Sequence, residues 1–176
     1  RVKLARELCK RSTGRTLYLH VERTTDAQAH APKYWMRDGN DWCVRVMDRV
    51  ASVDVNSPVC HVCYHEADAF ARFSGKRLPT EQEWEVAAGW DPARRRMRAF
   101  PWGDEPAIPH LANIDQLSFA TAQVGAYDGN WSPLGCYGMM GDVWEWTSSD
   151  FLAYPGYRTF PYPEYSEVFF GSEYKV

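Results

Sequence analysis

Two adjacent stretches of the chain carry helical periodicity with readable ends. In YHEADAFARFSG, the residues Ala67, Phe70, Ala71 and Ser74 fall on one stripe, and Gly75 supplies a stop. In PTEQEWEVAAG, Thr80 and Glu83 have the Thr-x-x-Glu spacing of a capping box directly after Pro79. Trp84, Ala87 and Ala88 form its inner face, and Gly89 ends it. Residues 1–11, RVKLARELCKR, offer a short third helix with Val2, Leu4, Ala5 and Leu8 partly on one side. Between 12 and 59 the period changes to alternation, and TLYLHV (16–21) and WCVRVM (42–47) read as short strands between turn residues. Beyond Gly89 no helical period survives; eight prolines and many Gly, Asp and Asn turn signals predict irregular structure. The closing EYKV reads as a strand beginning, and Arg1 opens inside a helix-compatible run, so the chain reads as a piece of a longer protein.

The stretch LGCYGMMGDVWEWTSSDF, residues 134–151, fits neither period. Gly135, Gly138 and Gly141 recur at three-residue intervals, which predicts backbone conformations closed to other residues or close approach by a neighbour. Trp144 and Trp146 alternate along an expected strand as core residues, and Glu145 between two buried rings requires a partner. Upstream, PVCHVCYHEA holds Cys60, His61, Cys63 and His65, a zinc-like set. Read as a strand leading into the first helix, it puts His61 and Cys63 opposite Cys60 and Val62, so four ligands cannot converge on one ion.

Composition narrows the class. The chain has 176 residues, 45% hydrophobic and 24% charged, the balance of one globular domain. Its 15% aromatic content lets a chain with little regular structure still build a core. A net charge of −3 gives no reason to expect nucleic-acid binding, and the basic run Arg94–Arg95–Arg96 with Arg98 reads as a solvated loop. No apolar stretch reaches membrane-spanning length. Five cysteines, an odd number, suit a reducing, cytoplasmic setting better than a disulfide framework.

GKRLPTEQEWEVAA, FPWGDEP, ANI and GMMGDVWEWTSS, in that order, closely resemble the formylglycine-generating-enzyme (sulfatase-modifying-factor) domain, over roughly residues 58–176. The resemblance implies an α+β, C-type-lectin-like fold with two short helices and much irregular structure. It sets residues 1–57 apart as an inter-lobe segment and the start of this lobe. YPGYRTFPYPEYSEVFFGSEYKV (154–176) and RTLYLHVERTTDAQAHAPKYW (15–35) further resemble the sulfoxide synthases of ergothioneine biosynthesis, the EgtB family. That likeness implies a cytoplasmic non-haem Fe(II) oxygenase. Such enzymes join a thiol to the imidazole of trimethylhistidine (hercynine); selenoneine-forming relatives use a selenium donor. It also implies a partner lobe, an N-terminal DinB-like helical bundle whose three histidines bind the iron, with the present lobe covering the site. His20, His30, His61, His65 and His110 show no HxxxHxE spacing, so the iron ligands are expected outside this chain.

The same resemblance singles out site residues. Ser132–Pro133–Leu134–Gly135 matches an S-x-Tyr-Gly step whose tyrosine is the family's active-site acid, and Leu134 carries no proton. Leu134 and Tyr137 are therefore candidate substrate contacts, Tyr137 is the nearby phenol, and the catalytic group stays unassigned. Glu145, with carbonyls of the glycine turn, matches a structural calcium site in which Gly138 replaces an asparagine, and Asn113–Ile114 match part of a second. Two other classes stay open: a formylglycine-generating oxidase acting on sulfatases, and a non-catalytic lectin-like binding module.

Overall fold

The computed structural model describes residues 31–106, 109–114 and 120–176. The expected helix at 1–11, the TLYLHV strand, His20 and His30 lie outside the described residues. Three strands open the described chain as an antiparallel meander: β1 (Trp35–Asp38), β2 (Asp41–Val46) and β3 (Arg49–Ser52). β2 is the alternating WCVRVM segment, with Cys43 its buried member. Arg37 faces Trp42 across the β1–β2 register, its guanidinium 4.5 Å from the ring centroid, while Trp35 packs on Trp42 at 6.1 Å.

Both helices form where their periodicity predicts. α1 (Tyr64–Phe73) starts at Cys63, whose backbone N–H donates to Glu66 at 2.6 Å, and it buries Ala71. It ends in a Schellman arrangement: Gly75 N–H bonds Arg72 O at 2.9 Å and Lys76 N–H bonds Ala71 O at 2.8 Å. Gly75 has φ +68°, the left-handed conformation that such a cap demands. α2 (Glu81–Gly89) opens with the complete capping box: Thr80 Oγ1 accepts Glu83 N–H at 3.2 Å, and Glu83 accepts Thr80 N–H at 2.9 Å. Arg77 adds two 2.6 Å bonds to the Glu83 carboxylate.

From α2 the chain runs directly into a small hairpin, β4 (Trp90–Asp91) with β5 (Arg96–Met97). The last sheet pairs β6 (Asp150–Phe151) with β7 (Gly171–Lys175), so the terminal EYKV does begin as a strand. Between these elements lie only loops and two single 3-10 turns at Pro163–Tyr165 and Glu167–Phe169. Among the described residues the architecture is thus α+β: two helices, three small sheets and long irregular connections. The buried apolar residues are mostly small (Ala71, Ala88 and Ala112, joined by Leu78 and Met139), with aromatic rings packed around them at partial exposure.

Two expectations fail locally. Residues 58–62 form no strand; they are an irregular approach to α1 in which His61 takes φ +59° and packs edge-on against Tyr34 at 4.8 Å. Residues 144–146 form no strand either, and Trp144 is completely exposed, not core. The cause is the turn before it: Gly141 and Asp142 both adopt positive φ, so the segment leaves the turn without a ladder partner to impose alternation.

Candidate functional site

The glycine stretch is held from several sides, and each tether traces to a particular residue. Buried Ser132 closes a tight loop: its N–H bonds Cys136 O at 2.8 Å, its Oγ accepts Cys136 N–H at 3.1 Å, and its carbonyl takes Gly135 N–H at 2.8 Å. Pro133 and Leu134 form the tip of that loop, leaving Leu134 48% exposed. Asn130, also buried, donates from its side-chain amide to Met140 O at 2.8 Å and takes Gly138 N–H on its main-chain oxygen at 3.1 Å. Tyr137 stacks on Trp131 with ring centroids 6.5 Å apart.

Gly135, Gly138 and Gly141 all have positive φ, as their spacing predicts. At Gly141 a neighbour also crowds the backbone: an added Cβ would lie 2.9 Å from Asn113 O. The contact is reinforced by Asp142, whose N–H bonds Asn113 O at 3.0 Å. Its carboxylate accepts the Asn113 amide at 2.7 Å and Ala122 N–H at 2.8 Å. Asn113 also donates to Ala120 O at 2.9 Å. The stretch then docks on α2. Trp84 Nε1 donates to Glu145 at 2.5 Å, Ser149 Oγ accepts Glu81 N–H at 2.9 Å, and Ser148 N–H bonds Pro79 O at 2.7 Å. Trp146 Nε1 reaches Val62 O at 3.0 Å, tying the approach to α1 into the same unit. The partner that Glu145 required is therefore an indole.

These tethers shape one wall of a broad cleft of about 2420 Å³. The β1–β3 meander supplies Tyr34, Trp35 and Trp42, α1 supplies Phe70, and α2 supplies Trp84. Tyr137, Gly138, Asp142, Glu145 and Trp146 line the wall made by the glycine stretch, whereas Leu134 is not part of the lining. The 120–126 loop closes one side, fixed by Asp54, which accepts from Gln123 Nε2, Asn56 N–H and Ser57 Oγ, each at 2.9 Å. The Asn56 N–H, followed by the Gln123 amide, holds the Asp54 carboxyl below its ordinary range. The cleft thus combines aromatic walls with many polar and charged groups, and it is larger than the roughly 300–1,000 Å³ of a typical small-molecule pocket. Among the described residues no three His, Cys, Asp or Glu side chains converge as metal ligands. Cys60, His61, Cys63 and His65 form no such group, and Glu145 is not part of one.

A family model described as the sulfatase-modifying factor enzyme 1-like domain matches residues 12–176. The chain belongs to the sulfatase-modifying factor enzyme 1-like family. Within that family it is 43% identical over 146 residues to the hercynine oxygenase of Mycobacterium tuberculosis, covering 83% of this chain and 34% of that protein. The hercynine oxygenase of Mycolicibacterium thermoresistibile is likewise 43% identical, over 82% of this chain and 32% of its own length. The formylglycine-generating enzyme of Thermomonospora curvata is 43% identical over 106 residues, which is 52% of this chain and 33% of that protein. The chain spans about a third of the length of the relatives it matches. Family membership and the structure agree on a mixed α+β lobe. No helix among the described residues is long and apolar enough to cross a membrane.

Three residues central to this site carried no warning in the sequence. Asn130, Ser132 and Asp142 act through bonds to groups 4 to 29 residues away, main-chain for the first two and a side-chain amide for Asp142. The only available signal for Asp142 is its place after a glycine, since Asn and Asp tolerate positive φ.

Proposed function

We propose that this chain is the substrate-covering lobe of a cytoplasmic non-haem iron oxygenase that forms a C–S bond on the imidazole of trimethylhistidine. The donor is a thiol or, in a selenoneine-forming variant, a selenium compound. One observation carries the reading. At equal identity, similarity to hercynine oxygenases extends over 82–83% of the chain, while similarity to the Thermomonospora curvata formylglycine-generating enzyme covers 52%. A formylglycine-generating oxidase is the second reading, favoured by that same 43% identity over the shared part.

Iron(II) supplies oxygen activation in such an enzyme. By resemblance, this reading assigns its ligands to a DinB-like helical lobe, and no chemical step is routed through iron here. The chain's own contribution is shape and orientation. Its cleft supplies aromatic walls, and the three left-handed glycines fix where one of them stands. Tyr137 offers a phenol from that wall, and Leu134 offers an apolar contact from the exposed loop tip. A structural calcium belongs to the same reading at Glu145 or at Asn113–Ile114. There the ion would share Glu145 with the Trp84 indole, or Asp142 with the Asn113 amide, since each carboxylate has acceptor sites beyond that bond.

Substitution at the loop tip tests the assignment in the whole protein. Leu134→Tyr adds a proton donor where the lobe presents only methyl groups. It should shift the product ratio between C–S bond formation and simple thiol oxidation without changing melting temperature. Tyr137→Phe should reduce turnover if its phenol serves the reaction. Unchanged product ratios and rates in both variants, with normal iron loading, would remove both residues from the site.

A further inference from the structure

The basic run Arg94–Arg95–Arg96 forms the solvated turn its composition suggests, with Arg98 half-buried behind it, yet its side chains are not randomly placed. The β4–β5 hairpin folds it over Asp91, which is only 3% exposed, and into the wall of a second cavity of about 570 Å³. That volume is in the range of small-molecule sites. Arg94, Arg96, Arg98, Trp102, Asp104 and Glu105 line it.

The distribution of bonds in this cavity is uneven. Asp91 accepts from Ala93 N–H at 3.0 Å and Arg94 N–H at 3.1 Å on one oxygen. On the other it accepts Arg94 Nη1 at 3.1 Å and Arg98 Nε and Nη2 at 3.0 and 2.7 Å. One buried carboxylate therefore serves two guanidiniums, and the bond from Arg98 comes first among the causes that hold it ionised well below the ordinary carboxylate range. Arg96 is paired one-to-one, with Asp104 at 2.5 Å. Glu105 is exposed at the mouth and bonds none of the three arginines through its carboxylate; its main-chain carbonyl takes the Trp102 indole N–H at 3.1 Å. Each guanidinium carries five N–H donors. Arg94 spends one side-chain N–H in the fold and Arg96 one, and these two side chains are 63% and 51% exposed. Arg98, 19% exposed, is oriented by its two bonds to the buried Asp91. Trp102 is fixed by stacking on Phe100 at 5.4 Å with the rings 3° from parallel. The result is a preorganised, donor-rich wall beside a flat apolar ring.

We propose that this cavity binds a small oxyanionic ligand, its phosphate or carboxylate group held by the unspent edges of Arg94 and Arg96. The inference is independent of the reaction assigned to the large cleft. Guanidinium edges match such planar or tetrahedral oxyanions with paired N–H donors, and charge-assisted bonds of this kind are the strong ones.

Titration calorimetry of the whole protein at low salt, with inorganic pyrophosphate and with succinate as separate probes, tests this. At least one probe should bind saturably at one site, and the preferred probe tells a phosphate-bearing ligand from a carboxylate-bearing one. Arg94→Gln and Arg96→Gln should each weaken binding about tenfold, the loss of one charge-assisted bond. Glu105→Gln, which removes the opposing charge at the mouth, should tighten it severalfold. All three side chains are exposed, so circular dichroism should stay that of the parent; Arg94→Gln, which gives up a bond to the buried Asp91, should lower the melting temperature, whereas Glu105→Gln should leave it unchanged. Absence of saturable binding by either probe, or affinities unchanged in both arginine variants, would overturn the proposal.

Discussion

Trp84→Phe probes the bond that fastens the glycine stretch to α2. The substitution keeps an aromatic ring on the helix, smaller than the indole, and removes the Nε1–H that Glu145 accepts at 2.5 Å. A hydrogen bond to a charged group contributes about 1.5–3 kcal/mol. Both side chains here are half-buried, so solvent screening puts the expected cost at the lower end, about 1.5 kcal/mol. Trp84→Ala also loses the ring. A fully buried ring costs about 3–5 kcal/mol, and partial burial again selects the lower bound, about 3 kcal/mol. With a urea slope of about 1–3 kcal/mol/M, Trp84→Phe should lower the unfolding midpoint by roughly 0.5–1.5 M without changing the slope. A double-mutant cycle with Glu145→Gln should return a coupling of about 1 kcal/mol or more. A Trp84→Phe midpoint equal to the parent's, or a coupling below about 0.3 kcal/mol, would show that the indole–carboxylate bond does not hold the wall in place.

Other consequences can be checked on the same protein. Thr80→Ala removes the acceptor of Glu83 N–H and should cost about 1 kcal/mol in chemical denaturation; no loss would mean the cap is not formed in solution. The Arg77 guanidinium, followed by Thr80 N–H, holds Glu83 down to about 2. Its unfolded value is about 4.3, so this carboxylate stabilises the fold above that pH and loses its contribution as pH falls from about 4.3 toward 2. Glu83→Gln should therefore flatten the acid-unfolding profile in that window, and an identical profile would contradict the pairing. For calcium, a rise in melting temperature on adding the ion, reversed by a chelator and absent in Glu145→Gln, supports a structural site there. An unchanged melting temperature removes it.

Local rules carried the helices and failed at the glycine stretch, for physical reasons. The capping box at Thr80 and the glycine stop at Gly75 involve partners within six residues, so sequence spacing alone reveals them. Gly135, Gly138 and Gly141 were legible because positive φ selects strongly for glycine. Trp144 is exposed because alternation means burial only within a strand, and after the turn at Asp142 residues 144–146 do not form one. The anchoring roles of Ser132, Asn130 and Asp142 depend on loops meeting in space. The arginine run differs: its buried anchor Asp91 lies only three residues upstream of Arg94, within one hairpin. The resemblance located the family, which similarity over most of the chain bears out.

The central claim is that this lobe serves an oxygenase acting on trimethylhistidine, and product analysis of the whole protein addresses it directly. The protein, supplied with iron(II), oxygen, trimethylhistidine and a thiol or selenium donor, would be assayed by mass spectrometry beside a sulfatase-derived cysteine peptide. The account predicts an oxygen-dependent adduct joining sulfur or selenium to the imidazole carbon, with the peptide cysteine untouched. Conversion of that cysteine to formylglycine with no imidazole adduct would contradict it.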